Sequence, residues 1–89
     1  MPTVEFTANL AHQTNAPSCV VKGTTVAEAM AEVFAQHPKL RSYVLDDQGA
    51  VRHHVVIFVD GSAIKDRRGL SDVLRPDAEL FIMQALSGG

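Results

Sequence analysis

The sequence finishes on Gly88-Gly89, and no other feature in it bears as directly on chemistry. Glycine makes up about 7% of ordinary chains, so a terminal Gly-Gly arises by chance in roughly 0.5% of them. Two residues without side chains let the backbone approach another surface closely. A free α-carboxyl has a pKa of about 3.3–3.7, so near neutral pH it is an anion and a poor electrophile. It therefore needs activation, and nothing else in the chain supplies it. There is no Gly-rich phosphate loop, no Ser/His/Asp set and no Cys-x-x-Cys pair. The chain reads as a substrate and carrier, not as an enzyme.

The remaining chemistry-bearing residues give weaker signals. His53 and His54 are adjacent, and on a strand they would point to opposite faces, unable to share one metal. His12 and His37 lack ligand-spaced neighbours, so no metal site is expected. Cys19 sits beside Val20 and Val21 and is expected to behave as a small buried hydrophobe. Lys65, Arg67 and Arg68 gather after the Asp60-Gly61 turn, and Arg75 lies near the last turn. Solvated loop charge is the plain reading of both; contact with an acidic partner is the sharper one.

Several elements must position the tail. Thr3–Thr7 alternates as a short strand with Val4 and Phe6 on one face, and Ser18–Lys22 would pair with it across the polar stretch Ala8–Pro17. After Gly23, Thr25 and Glu28 form the Thr-x-x-Glu pattern of a capping box. Val26, Ala29, Met30, Val33 and Phe34 then recur at helical spacing, until Pro38 ends the helix. Lys39–Ser42 reads as a connector with at most one helical turn, Tyr43–Asp46 as a short strand, and Asp46–Gly49 as a turn. The run His54–Val59 is the most β-branched in the chain and the best central strand. Asp60-Gly61 marks a tight turn, Leu70–Leu74 a brief helical turn, and Glu79–Gln84 the last strand. One amphipathic helix against one mixed sheet is an α+β arrangement, and the first and last strands are candidates for its centre.

Composition narrows the class without choosing a function. The 89 residues allow one core, with 46% hydrophobic and 20% charged residues typical of a folded globular domain. A net charge of −2 gives no field to attract nucleic acid or an anionic membrane. A single cysteine rules out an internal disulfide and suits a reducing cytosol, and MPTVEFTANL does not read as a signal peptide. A cytoplasmic location is expected, with no membrane or nucleic-acid partner. Residues 1–84 are read as the domain and 85–89 as a flexible tail.

Three stretches carry a family resemblance: Ile57-Phe58-Val59-Asp60-Gly61, Asp77-Ala78-Glu79-Leu80, and Leu86-Ser87-Gly88-Gly89. With the size and element order, they make the chain similar to the MoaD/ThiS family of ubiquitin-like sulfur carriers, which have the β-grasp fold. The resemblance implies that a partner E1-like enzyme uses ATP to adenylate the Gly89 carboxylate. A sulfur donor would then leave a thiocarboxylate, for delivery to an acceptor such as a cysteine synthase-like enzyme or a molybdopterin synthase large subunit-like one. Cysteine, molybdopterin and thiamine routes all stay open, although Gln84-Ala85-Leu86-Ser87 lacks the proline-containing approach usual in molybdopterin members. The resemblance implies no bound cofactor. Conjugation of Gly89 to lysines is the alternative, and a non-reactive β-grasp binding module is the third reading.

Strand alternation also assigns a surface. Val55, Ile57, Val59, Leu80 and Ile82 are expected in the core, which leaves Phe58, Phe81 and Met83 as an apolar partner interface on the open face, near the tail residues Leu86, Ser87, Gly88 and Gly89. A register slip of one residue would exchange the two sets.

Overall fold

The apolar face of the strongest helix and the alternating strands cover one another, as seen in a computed structural model that describes residues 1–6 and 18–84. The expected loop Ala8–Pro17, with His12, and the tail 85–89 lie outside the described residues. The elements in chain order are β1 (Thr3–Phe6), β2 (Ser18–Val20), α1 (Val26–Gln36), α2 (Lys39–Val44), β3 (Val55–Val59), β4 (Ser62–Ala63) and β5 (Glu79–Gln84). The sheet runs β2-β1-β5-β3-β4. Its middle seam is parallel, with Thr3 opposite Glu79 and Phe6 opposite Ile82, so the first and last strands do meet at the centre. The β3–β5 and β1–β2 pairs are antiparallel.

The start of α1 is built by carboxylates. Thr25 Oγ1 accepts the Glu28 N–H at 3.2 Å, as a capping box requires. The Glu28 carboxylate returns one residue further back than the standard pattern, accepting the Thr24 N–H at 2.8 Å and its hydroxyl at 3.0 Å. Those two donors, the Thr24 N–H first, hold Glu28 below its ordinary pKa. Glu32 takes the Lys22 N–H on both oxygens, at 2.9 and 3.0 Å. Between them Gly23 lies so close to the helix that a Cβ there would sit 2.6 Å from the Ala29 nitrogen.

The core holds Val4, Cys19, Val26, Ala29, Met30, Val33, Leu40, Val44, Val55, Ile57, Leu80 and Ile82 among others. Val59, at a strand end, is only half-buried against it. Three local expectations are corrected. Tyr43-Val44 continues helix α2 instead of starting a strand, because Leu40 and Val44, four residues apart, share a buried face; only Leu45 is extended, bridging Val51. Leu70–Leu74 is not a helical turn: Leu70 takes a left-handed φ of 55°, and the segment runs beside the start of α1. There Leu70 O, Asp72 O and Leu74 N bond to Ala27 N, Val26 N and Thr24 O. His54 precedes β3 rather than starting it, and His53 and His54 meet edge to face in a turn, ring centroids 5.4 Å apart.

Candidate functional site

Strand β5 carries the candidate site because it is flanked on both sides and is followed directly by the tail. Its last residue, Gln84, pairs with Val55 at the start of β3. That start is pinned by Arg67, whose Nη2 donates to Arg52 O and Val55 O, each at 2.7 Å. Arg67 is therefore a part-buried clamp on the strand beside the tail root and not loop charge, whereas Lys65 and Arg68 are exposed. Gln84 Oε1 is buried without a hydrogen-bond partner among the described residues. Leu86, Ser87, Gly88 and Gly89 lie outside the described residues.

The loop that supplies Arg67 is organised by two aspartates. Asp66 accepts the Ser71 hydroxyl at 2.6 Å and the N–H groups of Gly69 at 2.8 Å, Arg68 at 3.2 Å and Ser71 at 3.3 Å. The Ser71 hydroxyl and Gly69 N–H favour the anion most, and the Asp66 carboxyl titrates at about 2. Asp72 accepts the Lys65 and Asp66 N–H groups, both at 2.9 Å, which also lowers its pKa. Loop sequence alone gave no sign that these side chains serve the backbone.

On the face of the sheet away from the core, Phe58 is opposite Phe81 and Val56 opposite Met83. The structure thus brings Phe58, Phe81 and Met83 together, with Met83 adjacent to the tail root. Phe81 is 38% exposed, while Phe58 and Met83 are half-buried. Around the two phenylalanines is an open depression of about 500 Å³, lined also by Glu5, Asp60, Arg75 and Glu79. Asp60 and Gly61 have φ of 50° and 87°, the two positive values a tight two-residue hairpin turn needs. Asp60 ties that turn to β5: its Oδ1 accepts the Glu79 N–H at 3.0 Å, and its own N–H donates to Glu79 O at 2.9 Å. Arg75 Nε lies 3.8 Å from Asp60 Oδ2. Glu5 and Glu79 join this face because each alternates with core residues and so faces outward.

No group of three or more His, Cys, Asp or Glu residues is placed to hold a metal among the described residues. No helix among them is long and apolar enough to cross a membrane. Cys19 is buried, and burial raises its thiol pKa.

A mixed sheet with a parallel central pair, crossed by one main helix and a shorter one, defines the β-grasp, ubiquitin-like class. Solved structures with this arrangement cover nearly the whole chain. SAMP1 from Haloferax volcanii is 25% identical, with a TM-score of 0.81 over 99% of this chain and 98% of that one. A chain of the Amycolatopsis orientalis BexX/CysO complex is 22% identical, with a TM-score of 0.85 over 100% of both. CysO from Mycobacterium tuberculosis is 19% identical, with a TM-score of 0.81 over 97% of this chain and 100% of that one. The ThiS family model matches residues 4–89, and the chain belongs to the ThiS family. Comparison with curated proteins finds no match.

Proposed function

We propose that the chain is a sulfur carrier whose Gly89 carboxylate is adenylated by an E1-like partner and converted to a thiocarboxylate. The observation that carries this reading is the family match running through Gly89, five residues beyond a central strand anchored at Gln84. The partner uses ATP to exchange a poor electrophile for an acyl-adenylate, releasing pyrophosphate. Attack by a hydrosulfide-level donor then expels AMP and leaves sulfur on the Gly89 carbonyl. Phe58, Phe81 and Met83 form the face on which the partner docks, while Leu86, Ser87 and Gly88 lead the carboxylate to the nucleotide. The chain itself performs no catalysis. The stored sulfur passes to an acceptor enzyme of cysteine, molybdopterin or thiamine type.

Intact-mass measurement after expression with an adenylating partner, ATP and a sulfur source tests this. Exchange of one oxygen for sulfur at Gly89 is expected, and Gly89→Val should abolish it while leaving thermal unfolding unchanged. An unchanged mass for the wild-type chain would overturn the reading. A second reading, conjugation of Gly89 to lysine amines, draws support from the likeness to a small archaeal modifier protein from Haloferax volcanii. Its signature is a set of larger immunoreactive species that vanish when Gly89 is deleted.

A further inference from the structure

The open face of the sheet carries charge that an apolar docking patch does not need. Glu5 on β1 and Glu79 on β5 are both exposed, and the register that sets Thr3 against Glu79 and Glu5 against Phe81 makes them diagonal neighbours on one face. Diagonal sheet positions lie about 7–8 Å apart, and like charges in neighbouring positions repel. Elsewhere the carboxylates of Glu28, Glu32, Asp66 and Asp72 each accept backbone N–H groups. Among the described residues, neither Glu5 nor Glu79 has a side-chain hydrogen bond or ion pair. Arg75, the cation lining the same depression, is directed to Asp60 at 3.8 Å and Asp77 at 4.0 Å. What remains is a concavity with two aromatic rings and two carboxylates that have no side-chain partner among the described residues.

We propose that this depression seats an arginine side chain presented by the protein that docks on the open face. The guanidinium lies between the Glu5 and Glu79 carboxylates and against the Phe81 ring, while apolar neighbours of that arginine meet Phe58 and Met83. A planar guanidinium directs donors to two carboxylates at once and stacks on an aromatic face, which the compact ammonium of lysine does less well. A cation within about 6 Å of a ring centroid is further attracted by the ring itself. The charge of this face therefore selects the partner's surface, and its apolar part supplies contact area. This inference rests on the reading that the open face docks a protein, but it does not depend on the chemistry at Gly89.

The probe is the peptide N-acetyl-Gly-Arg-Gly-amide, titrated into the isotope-labelled full-length chain and followed by amide chemical shifts. The uncharged isostere with citrulline in place of arginine is the control. Saturable shifts are expected at Glu5, Gly61, Glu79 and Phe81, with the citrulline peptide binding roughly ten-fold more weakly because the charge-assisted bonds are lost. The double variant Glu5→Gln/Glu79→Gln should remove the difference between the peptides; among the described residues neither carboxylate holds another group, and thermal unfolding of the variant checks that the domain stays intact. Absent shifts, equal shifts with both peptides, or an unchanged difference in the double variant would each overturn the proposal. A chain ending at Ser87 should respond as the full chain does. If arginine binds here while Gly89 accepts no sulfur, the carrier reading alone falls. If Gly89 accepts sulfur while arginine produces no local response, this inference alone falls.

Discussion

The two faces of β5 use alternate residues of one six-residue strand for opposite purposes. Leu80 and Ile82 are completely enclosed beneath the helices, while Glu79 and Phe81 face outward. The same division separates the carboxylates. Asp66, Asp72, Glu28 and Glu32 hold the chain's own backbone, whereas among the described residues the Glu5 and Glu79 side chains have no such partner. Core packing and solvent exposure thus fall to different side chains, even where those side chains are sequence neighbours.

The largest expected effect is on the enclosed side. Ile82→Ala removes a fully buried side chain from the central strand and should cost about 2–5 kcal/mol in urea unfolding. A smaller loss would mean that the two faces are less distinct than their burial indicates. Next is the loop that holds Arg67. The folded Asp66 carboxyl, at about 2, lies below its ordinary value of 3.8, so its stabilising contribution is complete above the ordinary value. That contribution is lost as pH falls through the window from about 4 to about 2. Asp66→Asn should lower the melting temperature near neutral pH and flatten its decline across that window. A decline as steep as in the wild type would assign acid sensitivity to other carboxylates. The smallest effect belongs to the open face, where Phe81→Ala should change stability by less than about 1 kcal/mol, yet weaken partner binding measured by calorimetry. A large stability loss there would dissolve the contrast.

Elements defined by local pattern were legible in the sequence. The period of α1 from Val26 to Phe34 and the alternation of β3 and β5 place apolar residues on one side without help from distant contacts. The Asp60-Gly61 turn is equally local. What was hidden depends on partners far away in sequence. Leu70–Leu74 takes its shape from Thr24, Val26 and Ala27, and β4 is two residues long with nothing to recognise. Tyr43-Val44-Leu45 suits strand or helix, and burial of Leu40 with Val44 decides for helix. Arg67 looks like any loop arginine until the fold brings the carbonyls of Arg52 and Val55 within 2.7 Å of its guanidinium. At the candidate site, Phe58, Phe81 and Met83 followed from strand parity. The significance of Glu5 and Glu79 needed the β1–β5 register, which no periodicity reveals.

The parallel seam between β1 and β5 has a temporal consequence. Thr3 finds Glu79 only when nearly the whole domain lies between them, and contacts so distant in sequence form slowly because the intervening loop must close first. The centre of the sheet therefore closes only with the last strand in place. A chain clipped before β5 loses both the parallel partner of β1 and the strand that sets Phe81 against Phe58. Under the carrier reading proposed above, the fold acts as an inspection step, because only a finished sheet leads into the residues after Gln84.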